Sequence, residues 1–100
     1  MSIHLKYSSA AIERLCRERK IRRLDLFGSW ANGKASTDSD IDLLVDYDPV
    51  GGMTMFKFLE LEDELGKLFG GRKVDLVSVN GLSPYLRDEI LRTRRPLYEG

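Results

Sequence analysis

One stretch of eight residues limits the folds open to this chain more than any other: Asp40-Ile41-Asp42-Leu43-Leu44-Val45-Asp46-Tyr47. Successive side chains of a strand point to opposite faces, so Ile41, Leu43, Val45 and Tyr47 fall on one side and Asp40, Asp42, Leu44 and Asp46 on the other. The first side needs a core; the second carries carboxylates. A small mixed β-sheet flanked by helices, in the α/β (α+β) class, is the architecture expected.

The rest of the chain supplies the parts. Ser8 and Ser9 are N-cap residues, and Ile12, Leu15 and Cys16 recur behind them at helical spacing, which predicts a first helix over about residues 9–20. Leu24, Leu26 and Phe27 form a short apolar stretch that stops at Gly28-Ser29, the pattern of a strand running into a tight turn. Small and polar residues from Ala31 to Ser39 suit a brief helical turn and a loop. Beyond Pro49 and Gly51-Gly52, the series Met55, Phe58, Leu59, Glu62, Leu65, Leu68 and Phe69 marks an amphipathic helix that Gly70-Gly71 can end. Val74 to Val79 reads as a third strand, with Asp75, Val77 and Val79 on one face. Ser83-Pro84 then opens a last helix with Leu82, Leu86 and Ile90 as its apolar stripe, closed by Pro96, with Leu97-Tyr98 as a short edge strand.

At 100 residues the chain has room for one core, so residues 1–100 are expected to form a single domain, and any large acceptor to come from outside it. Sixteen basic residues balance sixteen acidic ones, which removes the overall positive charge that drives nonspecific binding to nucleic acid or anionic membrane. Cys16 is the single cysteine, so no disulfide closes within the chain; a reducing compartment, the cytoplasm, is the expected location. No apolar run approaches the roughly 18–20 residues that cross a bilayer.

Chemistry is expected at the aspartate strand. Two aspartates two apart on a strand point the same way with Cα atoms about 6.5–7 Å apart, so their side chains can converge on cations above that face. Asp75, at the start of another apolar strand, can supply a third carboxylate if the two strands are neighbours. Mg²⁺ prefers hard oxygen ligands and keeps some water, so two or three carboxylates plus triphosphate oxygens suit it. At Gly28-Ser29, glycine allows close backbone approach to a phosphate, while serine offers a hydroxyl and an N–H.

Gly28-Ser29, ten intervening residues, then Asp40-Ile41-Asp42 resembles the signature of the DNA polymerase β-like nucleotidyltransferase superfamily. The stretches Leu26-Phe27-Gly28-Ser29-Trp30-Ala31-Asn32-Gly33 and Ser39 to Val45 resemble the minimal nucleotidyltransferase (MNT) family, and Lys73-Val74-Asp75-Leu76-Val77 resembles its third-aspartate strand. The resemblance implies a nucleotidyltransferase fold and a type VII-like antitoxin. Such an antitoxin uses Mg²⁺ to transfer AMP from ATP to a tyrosine of a HEPN-domain ribonuclease toxin, with which it forms a hetero-oligomer. It also implies that Asp40 and Asp42 are metal ligands, that Asp75 is a third ligand or activates the acceptor hydroxyl, and that Gly28 and Ser29 bind triphosphate. Trp30 and Asn32 depart from the family, which often has arginines there; Lys34 is the cation next along the chain.

Two other readings stand beside this one: an antitoxin that neutralises by binding alone, and a nucleotidyltransferase acting on a small molecule or RNA. Basic residues cluster between Arg14 and Arg23 and again at Arg87, Arg92, Arg94 and Arg95, as charged outer helix faces or as a surface for an acidic partner or RNA. Asp38, Asp46 and Asp48 read as solvated positions, and Cys16 as a small core residue. Trp30 reads as a packing residue, a partner contact or a base-stacking one. Met53, Met55, Phe56 and Phe58 divide between core and partner surface. His4, the single histidine, gives no support to a histidine triad or a zinc site.

Overall fold

The computed structural model describes residues 5–36, 38–48 and 50–100; His4 and Pro49, both named above, lie outside the described residues. The first helix, α1 (Ser9–Glu18), begins where expected, with the Ser8 hydroxyl accepting from the Ala11 N–H at 3.2 Å. Strands β1 (Ile21–Phe27) and β2 (Ile41–Tyr47) follow, then helix α2 (Met55–Leu68) and strand β3 (Val74–Ser78). A 3-10 turn at Val79–Gly81 leads to helix α3 (Pro84–Thr93) and strand β4 (Arg95–Glu99). Val79 therefore lies just beyond the strand it was expected to end. Ser83 precedes Pro84 as the cap position, but its side chain makes no capping hydrogen bond.

The four strands form one mixed sheet in the order β3-β2-β1-β4. Strand β2 pairs antiparallel with β1 and parallel with β3, and β4 pairs antiparallel with the other side of β1. An irregularity between Ile21 and Arg23 shifts the β1–β2 register. That extra residue puts Ile21 on the same face as Leu24 and Leu26 although it lies three positions from Leu24.

This face is the core. Ile41, Leu43 and Val45 of β2 join Leu24 and Leu26 of β1 and Val74 and Leu76 of β3 against Ile12, Leu15 and Cys16 of α1 and Leu61, Leu65 and Phe69 of α2. Cys16 is thus a core residue, its thiol pushed up to about 12 by burial. In α2 the buried stripe differs from the expected one: Leu61 is buried, whereas Leu59 is exposed with Met55 and Phe56. The helix still ends at the glycine pair, where the Gly71 N–H donates to the Gly66 carbonyl at 2.9 Å and both Gly70 and Gly71 adopt positive φ.

The opposite face is assembled from Arg23, Asp25 and Phe27 of β1, Asp42, Leu44 and Asp46 of β2, and Asp75 and Val77 of β3, as the register requires. Leu44 is fully buried here. So is Asp25, whose carboxylate accepts two bonds from Arg23 Nε at 2.9 and 2.8 Å and one from Arg94 Nη1 at 3.2 Å. Hydrogen bonding to Asp25 raises the Arg23 pKa above its ordinary value, keeping the guanidinium charged. Arg94 caps α3, so this cluster fastens the segment between α3 and β4 to the middle of the sheet.

Removing one member of a buried ion cluster strands the others without compensation. Asp25→Ala is expected to lower unfolding stability by about 2–3 kcal/mol, near the lower end for such losses because both arginines keep some solvent contact. Urea denaturation of the two proteins measures it.

Candidate active site

The carboxylates meet at the starts of β2 and β3. Parallel pairing sets Asp42 directly beside Asp75, a neighbour about 4.8 Å away along the hydrogen-bonding direction, and both side chains leave the sheet on the face opposite the core. Asp40 lies two residues before Asp42, in contact with Lys73, whose Nζ stands 3.7 Å from Asp40 Oδ2. The strand adjacency that Asp75 required is therefore present.

On the other side of Asp42 lies the glycine turn. Phe27 pairs with Asp42, so Gly28 leaves β1 beside the aspartate and takes φ +72°, a conformation that side chains disfavour. A Cβ at residue 28 would overlap the Asp42 carboxylate, with Asp42 Cγ only 3.2 Å away. The close approach expected at this glycine is thus occupied first by Asp42. The Gly28 carbonyl accepts from the Ala31 and Asn32 N–H groups, each at 3.1 Å, and the Ser29 carbonyl from the Lys34 N–H at 2.9 Å. These bonds coil residues 28–34 into a compact turn, and the amides of Ser29 and Trp30 take no part in them.

Trp30 is a packing residue. It is 6% exposed, belongs to the core cluster, and donates from Nε1 to the Ser39 carbonyl at 3.4 Å. Arg72 lies over its ring, 5.1 Å from the centroid. The indole thus joins the turn after β1 to the loop entering Asp40 and to the approach to β3. Asn32 and Lys34 are exposed on the turn.

Electrostatically the site is a concentration of like charge. Asp42 has its pKa raised, first by burial and then by the negative charges of Asp75 and Asp40. Among the described residues no three carboxylate, imidazole or thiolate groups converge closely enough to enclose a cation by themselves. A hydrated divalent ion that takes its remaining ligands from phosphate and water needs no such enclosure.

The sequence matches the family described as "Polymerase beta, Nucleotidyltransferase" over residues 10–100. The chain belongs to this nucleotidyltransferase family. Protein adenylyltransferase MntA of Thermococcus cleftensis is 42% identical over 72 residues, covering 72% of this chain and 70% of that protein. A crystal structure of a toxin-antitoxin with AMP-PNP contains a chain that is 25% identical, with TM-score 0.74, the match covering 93% of this chain and 74% of the other. The fold also recurs, at TM-score 0.65 and 23% identity over 92% of this chain and 70% of the other, in the structure of a tri-AMPylated Shewanella oneidensis HEPN toxin in complex with MNT antitoxin. This nucleotidyltransferase domain therefore has the sheet and helices expected for its family.

Two features of the site were not visible in the motif. Asp25 sits between leucines in an apolar strand, and a charged residue in such a run is the signal that a buried partner must exist. Lys73 reads as a surface lysine until the β2–β3 register brings it to Asp40. The first basic group is largely consumed by ion pairs: Arg17 with Glu13, Arg19 with Glu64, Arg22 with Asp48, and Arg23 with Asp25 and Glu99. Asp48 in turn is a pairing residue at the end of β2, consistent with a structural role.

A carboxyl group whose pKa is raised by folding disfavours the folded state once it ionises. The cost is absent below the ordinary aspartate value, appears as pH rises towards the raised one, and is complete above it. Asp42→Asn removes the cost, so in the absence of divalent cations it should melt about 2–4 °C above wild type at pH 7, the gain being small because the carboxylate is only part-buried. The difference should vanish near pH 3. Calorimetry at both pH values checks the sign.

Proposed function

We propose that this nucleotidyltransferase acts as an antitoxin, transferring AMP from ATP to a hydroxyl, a tyrosine, of a HEPN-domain toxin. The observation that carries the reading is Asp42 held between the Gly28 turn on one side and Asp75 on the other. The toxin-antitoxin structure with AMP-PNP and the adenylyltransferase relative support ATP as donor, and the complex with an AMPylated HEPN toxin supports the partner.

The donor set fits Mg²⁺: hard carboxylate oxygens on one face, where burial first and neighbouring negative charge second raise the Asp42 pKa. Asp40 and Asp42 would hold the metal, with Asp75 as a third ligand or the group facing the acceptor. When bound, the metal supplies charge neutralisation and orientation of the triphosphate. The Ser29 hydroxyl and the turn's first amides orient the phosphates, and the β2 strand keeps the aspartates on one rigid line. The acceptor oxygen attacks the α-phosphorus, the bond from that phosphorus to the bridging oxygen breaks, and pyrophosphate leaves with the electron pair. The hydroxyl proton goes to solvent, by way of Asp75 where that carboxylate faces the acceptor.

Intact mass spectrometry of the toxin after incubation with this chain, ATP and Mg²⁺ tests the proposal. Wild type should add AMP, and Asp40→Ala plus Asp42→Ala should add none while still binding the toxin. Unchanged toxin mass with wild-type protein, both partners folded and associated, overturns it.

One observation favours a second reading, an antitoxin that acts by contact. Trp30 stands where the family often has an arginine, and it is committed to packing rather than to phosphates. Neutralisation that survives the double aspartate substitution would support this reading; loss of neutralisation with binding intact would exclude it.

A further inference from the structure

The order of strands divides the site into two sides. The Gly28-Ser29 turn closes β1, the aspartate pair lies on β2, and Asp75 starts β3, with β2 in the middle. In-line displacement puts the attacking and leaving oxygens on opposite sides of the phosphorus. With the triphosphate held at the β1 turn, pyrophosphate would leave towards β1 and the acceptor would reach the α-phosphorus from the β3 side.

Two cations stand at the entrance to β3, and they face opposite ways. Arg72 stacks over Trp30, a member of the core cluster on the helical side of the sheet. Lys73 alternates to the other face, the face of Asp75 two residues on. Its backbone is fixed by the Ile41 N–H donating to the Lys73 carbonyl at 3.0 Å, which sets its side chain beside Asp40. The Lys73 side chain is 79% exposed, leaving its ammonium open to solvent beside Asp40. Arg23 on this face and Arg94 are engaged by the buried Asp25 carboxylate.

We infer that Lys73 is an acceptor-side residue: its ammonium faces the attacking oxygen and stabilises the negative charge that develops there as the acceptor loses its proton. The inference rests on the adenylyl-transfer reading above. Lys73 Nζ lies 3.7 Å from Asp40 Oδ2 in the structure, and with that carboxylate engaged by a cation the ammonium would be free to face the incoming hydroxyl. The lysine remains protonated throughout, and no bond to it forms or breaks.

The side assignment makes the test specific. With the HEPN toxin, ATP and Mg²⁺, Lys73→Gln should lower kcat about 10- to 100-fold, the range of a lost charge-stabilising contact at a wet site. ATP affinity, read from Trp30 fluorescence, and toxin affinity should each stay within about twofold of wild type, the range left to a side chain that contacts neither in the ground state. Lys73→Arg should restore most of the rate, which a purely structural loss would not explain. A fall in ATP affinity with kcat unchanged overturns the assignment and places the cation on the triphosphate. An unchanged rate with both affinities intact also overturns it. If the wild-type chain itself transfers no AMP, the proposed function falls and takes this inference with it.

Discussion

Strand β2 is asked to satisfy two solvents at once, and the fold follows from that demand. Ile41, Leu43 and Val45 are buried to completion against α1 and α2, while Asp40 and Asp42 remain at the strand's beginning on or beside the opposite face. A two-residue period allows both only if the strand is central and its register is held on both sides. Strand β1 holds it through the antiparallel ladder and the extra residue near Arg22; β3 holds it through the parallel ladder that brings Asp75 beside Asp42. A slip of one residue on either side would bury the aspartates and expose the core.

The same face carries carboxylates in two opposite conditions. Asp25 is buried and fully answered, with Arg23 and Arg94 supplying three bonds. Asp42 is partly buried and surrounded by its own kind, its pKa raised first by burial and then by Asp75 and Asp40. The first arrangement is a fastening and the second a stored need for positive charge. For the adenylyl transfer proposed above, that concentration of negative charge is what would make the site receptive to a cation, and the Asp25 cluster holds the neighbouring strand in place.

Much of this was legible in the residues themselves. The alternation of residues 40–47 located both the core and the carboxylates, Ser8 and Gly70-Gly71 marked helix ends, and Asp75 fell on the expected face because strand spacing leaves no other choice. What escaped was long-range. Leu59 and Leu61 are both plausible members of an amphipathic stripe, and only the docking angle of α2 selects Leu61. The pairing of Asp25 with Arg94 joins residues 69 positions apart, and Lys73 meets Asp40 only through strand pairing. Trp30 could equally have been a base-stacking residue by its place after Gly28-Ser29; its burial is a property of the assembled core.

The sheet's two rims have a consequence for how other proteins meet it. Strand β4, at one rim, is five residues long, contains Pro96, which has no N–H to offer, and ends in the exposed charges of Arg95 and Glu99. Strand β3, at the other, is equally short and exposes Asp75. Short, charged rims, one of them interrupted by proline, resist the addition of a foreign strand. Recognition of this domain is thereby left to side chains on its helices and around its acidic end, so partner choice can drift by surface substitution without touching the backbone ladder that keeps the carboxylates aligned.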